Sequence, residues 1–95
     1  MTIQKRGSTL LEAHSVINGE RQDQYGNPED AFGRIAEYWN CFLAKWESSV
    51  IDLKPKDVAL MMVLFKLARE EHQAKRDNLV DAAGYIGLAG DMGGK

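Results

Sequence analysis

The sequence predicts an all-α fold, a four-helix bundle-like single domain that associates with further copies of itself through its apolar third helix. Three observations carry this prediction. Apolar residues recur at helical spacing, each segment is bracketed by helix start or stop signals, and no stretch alternates as a half-buried strand would. Size and composition agree with one globular domain: 95 residues suffice for one and not for two, and 44% apolar with 8% aromatic content excludes wholesale disorder.

The first helix reads from Thr9 to about Asn18. Thr9 with Glu12 three residues later has the form of a capping box, and Gly19 is a natural left-handed stop. A polar stretch follows. Asn27 then serves as N-cap and Pro28 as first helical residue of a second helix running to about Ser48. Its residues Phe32, Ile35, Ala36, Trp39, Leu43 and Trp46 form a single apolar face, the clearest periodic signal in the chain. The connector 49–54 is expected to tuck Val50, Ile51 and Leu53 inward.

Pro55 opens the third helix, with Asp57 in its first turn, where a carboxylate suits the helix dipole. From Val58 to Ala68 only Lys66 interrupts the apolar residues, so this helix is expected to lie both in the core and at a subunit interface. The alternative is a central helix packed by its own chain alone. The fourth helix reads from near Asp77 to about Ala89. Its interior Gly84 costs about 1 kcal/mol against alanine, which signals close approach of another backbone or a ligand. The division that results is an N-terminal tail 1–8, an all-α domain 9–89 and a C-terminal tail 90–95, flexible by composition.

Charge and cysteine content exclude several classes. Twelve Lys and Arg against 14 Asp and Glu give a net charge of −2, which argues against a nucleic-acid backbone as main partner. The lone Cys41 excludes an intrachain disulfide and a multi-cysteine zinc site, and reads as a buried small apolar residue. His14 and His72 are isolated, with His72 at a solvated helix end, so no zinc site is predicted. Residues 1–8 contain no apolar leader, and the dense apolar run Val58 to Phe65 is far short of a membrane span. The expectation is a cytoplasmic protein with no membrane partner.

The residues suited to chemistry lie on the third and fourth helices and in the polar stretch between the first two. Asp77 and Asp81, four apart, share one helix face. Like charges at that spacing call for a cation beside them, either a magnesium ion or a basic side chain. Asp77 also reads as an N-cap, a role that its interior position denies to Asp81. Tyr85 lies one turn further along the same face. Lys66 and Arg69 share one side of the third helix, which suits a phosphate-bearing ligand or an internal ion network with Asp77 and Asp81. Arg21 offers a planar fork to a phosphate, and Tyr25 either meets a base or staples onto Phe32 or Ile35. Gly26 and Pro28 are turn residues.

The strings Gly19-Glu20-Arg21-Gln22-Asp23-Gln24-Tyr25-Gly26-Asn27-Pro28, Asp57-Val58-Ala59-Leu60-Met61-Met62, Lys66-Leu67-Ala68-Arg69 and Asp77-Asn78-Leu79-Val80-Asp81-Ala82-Ala83-Gly84-Tyr85 resemble a small phage and prophage family without an assigned function. More distantly the chain is similar to the MazG-like all-α nucleotide pyrophosphohydrolases. That resemblance implies a helical oligomer that splits nucleoside triphosphates with magnesium held by helix carboxylates. The residues taken together suit a nucleotide-handling protein, in which Arg21, Lys66 and Arg69 hold phosphates, Tyr25 or Tyr85 meets the base or sugar, and Asp77 with Asp81 either holds magnesium, as catalytic metal ligands, or orients the cations. The chain departs from that pattern in carrying Lys66 and Arg69 where acids are expected, and in spacing Asp77 and Asp81 by four. Two-metal hydrolysis needs about four carboxylates, which Glu12, Glu20 or a second subunit would have to complete. The sequence therefore leaves three readings: a nucleotide pyrophosphohydrolase, a protein that binds and sequesters a nucleotide, and an interaction module whose polar residues form an ion network.

Overall fold

The computed structural model describes residues 6–19, 26–46 and 51–92. All regular structure among them is helical: α1 Ser8–Asn18, α2 Pro28–Leu43, α3 Pro55–His72 and α4 Arg76–Asp91. The four predicted helices are present, and their ends show which local signals decided them.

α1 starts one residue earlier than its capping-box signal, after Gly7 in the left-handed conformation (φ 83°) and without a side-chain cap. Thr9 therefore lies inside the first turn, and Glu12 accepts a hydrogen bond from Arg76 Nε at 2.8 Å instead of closing a capping box. Gly19 ends the helix in an extended conformation, φ −100°, and not the left-handed one. A side chain there is excluded for another reason, since its Cβ would stand 2.9 Å from the Ser15 carbonyl oxygen.

The entry to α2 follows the sequence closely. Gly26 has φ 78°, a turn geometry that favours glycine. Asn27 Oδ1 accepts from Glu29 N at 2.7 Å, and Pro28 occupies the first turn. The helix stops at Leu43, short of Ser48, so Trp46 falls in the following turn and is 76% exposed. Its place on the predicted apolar face is thereby corrected. Cys41 is exposed and not buried, because it projects from the side of α2 opposite to Phe32 and Ala36. Asn40 clamps the returning chain: its Oδ1 accepts from Leu53 N at 2.8 Å, and its Nδ2 donates to Leu53 O at 3.3 Å. Ile51 and Leu53 are half-buried as expected. Val50 lies outside the described residues.

α3 is opened by Pro55 and by Asp57 Oδ2, which accepts from Lys54 N at 2.9 Å. The neighbouring Asp52 carboxylate, 2.7 Å from Lys54 Nζ, raises the pKa of that ammonium. A tight turn then leads into α4. Glu70 Oε1 holds it by accepting from Lys75 N at 2.9 Å and from Asn78 Nδ2 at 3.2 Å. The N-cap of α4 is Lys75, so Asp77 belongs to the first turn and does not cap. α4 continues to Asp91, and Met92 is buried against Ala59 and Ala89. Residues 90 and 91 are thus part of α4.

α4 packs between α1 and α3, and α3 packs against α2. α3 and α4 are antiparallel, as the meetings of Ala59 with Ala89, Lys66 with Asp81 and Glu70 with Asn78 require. α1 runs parallel to α4, with Glu12 at Arg76 and Ile17 over Gly84 and Gly87. The most surrounded helix is accordingly the fourth and not the third. Its Val80, Ala82, Gly84 and Ala89 are buried and small enough to admit a neighbour on each side. α3 buries Val58 and Ala59, whereas Leu60, Met61, Leu64, Phe65 and Leu67 on its outer half are exposed. No helix among the described residues is long and apolar enough to cross a membrane.

Candidate functional site

The parallel approach of α1 to α4 and the start of α2 enclose a cleft with a volume of about 460 Å³. Its walls are largely apolar: Val16 and Ile17 come from α1, Ala31 and Phe32 from α2, and Val80 and Leu88 from α4. Gly84 and Tyr85 complete the α4 wall, and Gly26 and Pro28 lie at the α2 end. The volume and the apolar lining are those of a small-molecule pocket.

Among the described residues two charges face this cleft, Lys66 and Asp81. Lys66 Nζ stands 3.0 Å from Asp81 Oδ2, and the two side chains are only 16% and 24% exposed. Helix geometry explains the pairing. Lys66 lies on the inner side of α3 with Val58 and Ala59, and α4 presents Asp81 at the same level of the antiparallel pair. The ammonium lies 5.8 Å from the centroid of Phe65, which covers its outer side. Tyr85 lines the same cleft, and its ring packs on Phe32 at 6.0 Å between centroids with a tilt of 36°.

The remaining candidates are dispersed. Arg69, three residues after Lys66, turns away from Asp81 and sits 5.7 Å from the Phe65 ring. It lines a second, smaller cleft of about 300 Å³ with His72, Lys75 and Asn78. Asp77 is exposed in the first turn of α4 and lines neither cleft. Among the described residues no three His, Cys, Asp or Glu side chains gather into a group able to hold a metal ion. Arg21 and Tyr25 lie outside the described residues. The structure therefore brings together Lys66, Asp81 and Tyr85, and separates Arg69 and Asp77 from them.

Two contributions escape sequence reading. The α1 wall, Val16 and Ile17, carries no chemical signature, although Gly84 announces its approach. A Cβ at Gly84 would meet Ile17 Cγ2 at 3.2 Å, and one at Gly87 would meet Ile17 Cδ1 at 3.3 Å. Asn78, 6% exposed, is the buried polar residue of α4, and its amide joins Glu70 Oε1 to the Gln73 carbonyl. A single Asn in a helical stretch gives no hint of that position.

Comparison with known proteins adds a family but no activity. The chain is 37% identical over 86 residues to the Gene 55 protein of Mycobacterium phage L5, covering 90% of this chain and 52% of that relative. It is 40% identical over 81 residues to the Gene 55 protein of Mycobacterium phage D29, covering 84% and 50%. The chain thus spans about half the length of the curated relatives it matches. No solved structure matches it. A family model described as "Domain of unknown function (DUF6378)" matches residues 8–93, from the first residue of α1 to beyond the last of α4, and the chain belongs to that family.

Proposed function

We propose that this chain binds a nucleotide-class small molecule in the cleft between α1, α2 and α4, and that it holds the ligand without cleaving it. The observation supporting this reading is the mostly buried Lys66–Asp81 pair on the wall of an apolar cleft of about 460 Å³. A few convergent polar groups in an otherwise apolar pocket are what fix a ligand's orientation. Phe32 and Tyr85 offer aromatic surface to a base.

Binding is favoured over pyrophosphate hydrolysis by the chemistry of the acids. Asp81 is already paired with an ammonium at 3.0 Å, and Asp77 does not reach the cleft. The donor set does not fit a two-metal centre, which calls for several converging carboxylates. Magnesium on Asp77 and Asp81, and the MazG-like likeness, belong to the hydrolytic alternative.

Self-association is part of the proposal. The chain exposes 7329 Å², about 1,800 Å² more than a folded monomer of its 10.6 kDa mass. A standard interface removes roughly 800 Å² from each partner, well within that excess. The occupant that fits the outer face of α3 is a second copy, whose own Leu60, Leu64 and Leu67 need the same cover. A setting in the host cytoplasm goes with this reading.

The test is a thermal-shift panel of nucleosides and nucleotides with and without magnesium, coupled to phosphate and pyrophosphate detection. A ligand at 100 times its Kd adds about 2.7 kcal/mol, which for a domain of this size raises Tm by on the order of 10 °C. Stabilisation with the ligand recovered intact is the expected result. Release of pyrophosphate would favour the hydrolase. An absence of response to every compound at millimolar concentration would leave the interaction module. Ala31→Phe, which fills the cleft from α2, should abolish the shift while helical circular dichroism persists.

A further inference from the structure

We infer that the Lys66–Asp81 pair reads the edge of the ligand's base and leaves its phosphates outside the cleft. This rests on the binding reading above and specifies it. The charge balance is the first ground. Lys66 is the one cation lining the cleft among the described residues, and the Asp81 carboxylate 3.0 Å away cancels it. A phosphate drawn to the ammonium would have to sit beside that carboxylate, where partial burial weakens solvent screening of the repulsion. Arg69, the next cation along that side of α3, is engaged over Phe65 and faces the other cleft.

The second ground is hydrogen-bonding capacity. An ammonium carries three N–H donors and a carboxylate two acceptor oxygens, so one contact between them leaves donors and an acceptor for a third party. The pair therefore presents a donor and an acceptor side by side. Its complement is an uncharged planar edge with an acceptor next to an N–H, as nucleobases have. The acceptor takes a proton contact from Lys66 Nζ, and the N–H donates to Asp81. The apolar walls then cover the faces of the ring, with the packed rings of Phe32 and Tyr85 among them.

Calorimetric titration of the full chain with adenosine, guanosine, cytidine and uridine, each beside its 5′-mono- and triphosphate, tests this directly. The expected result is that a nucleoside and its phosphates bind alike, while changing the base alters affinity about tenfold or more, as paired hydrogen bonds to a base edge do. Affinity should also vary little when salt is raised, because the recognised edge is uncharged. A nucleotide that binds while its nucleoside does not would place the phosphate on Lys66, overturning this inference and leaving the binding reading intact. Failure of every nucleoside and nucleotide would remove the binding reading itself. Asp81→Asn, which turns an acceptor into a mixed donor and acceptor, is expected to reorder the preference among bases. An equal loss for all of them would deny the pair its reading role, and should the variant not fold, the unaltered chain's panel still decides.

Discussion

At the scale of single residues, the Lys66–Asp81 contact is both a feature of the cleft and a stability element. Removing one partner strands the other charge in a mostly buried position, where the penalty exceeds the worth of the pair itself. Asp81→Leu and Lys66→Met should each cost about 1–3 kcal/mol in urea denaturation, less than for a fully buried pair. The double variant Lys66→Met with Asp81→Leu should recover most of that loss, because both desolvation penalties disappear together. Equal, additive losses would show that the two side chains do not interact. The sequence made this pair legible in part. A cation interrupting an apolar run and an acid inside a helix both ask for a partner, but spacing within each helix cannot say which cation meets which acid. The register of α3 against α4 decides it, and that register is set by Glu70, Asn78 and the tight turn between the helices. Arg69 shows the limit of the same reasoning. It shares a side of α3 with Lys66 on a helical wheel, yet a rotation of roughly 60° is enough to turn it to Phe65.

At the scale of elements, helix existence was legible and helix ends less so. Asn27-Pro28 and Pro55 mark their starts because the missing N–H and fixed φ of proline act locally. Gly19 stops α1 where expected, though in an extended conformation. The Thr9 capping box does not form, because Glu12 leaves its own backbone for Arg76, and α2 ends at Leu43, before Trp46. The α1–α4 contact is the element pair most exposed to mutation. It rests on Ile17 against two glycines and on the Arg76 hydrogen bonds to Glu12 and Ser8. Gly87→Val should therefore lift α1 from α4, since even its Cβ meets Ile17 at 3.3 Å. Amide hydrogen exchange of residues 8–18 is expected to accelerate, with α3 and α4 keeping their protection. Unchanged protection of α1 would show that it is held by contacts other than Ile17.

At the scale of the whole molecule, the chain is a thin assembly of helices with principal extents of 53 × 30 × 24 Å and a radius of gyration of 15.2 Å, against about 12 Å for a compact domain of this length. The apolar run of α3 pointed to cover from more than its own chain, and its outer half is indeed exposed, with Leu64 at 65%. Which face points outward was not legible, because an all-round apolar helix has no periodic contrast. Light scattering on the native chain is expected to give a multiple of 10.6 kDa, and Leu64→Glu should reduce it to the single-chain mass. A single-chain mass for the unaltered protein would refute the proposed second copy. If the outer leucines and phenylalanine of α3 find shelter only in a neighbour, folding and encounter become one event governed by mass action. The melting temperature should then climb with concentration, and dilution alone should melt the helices.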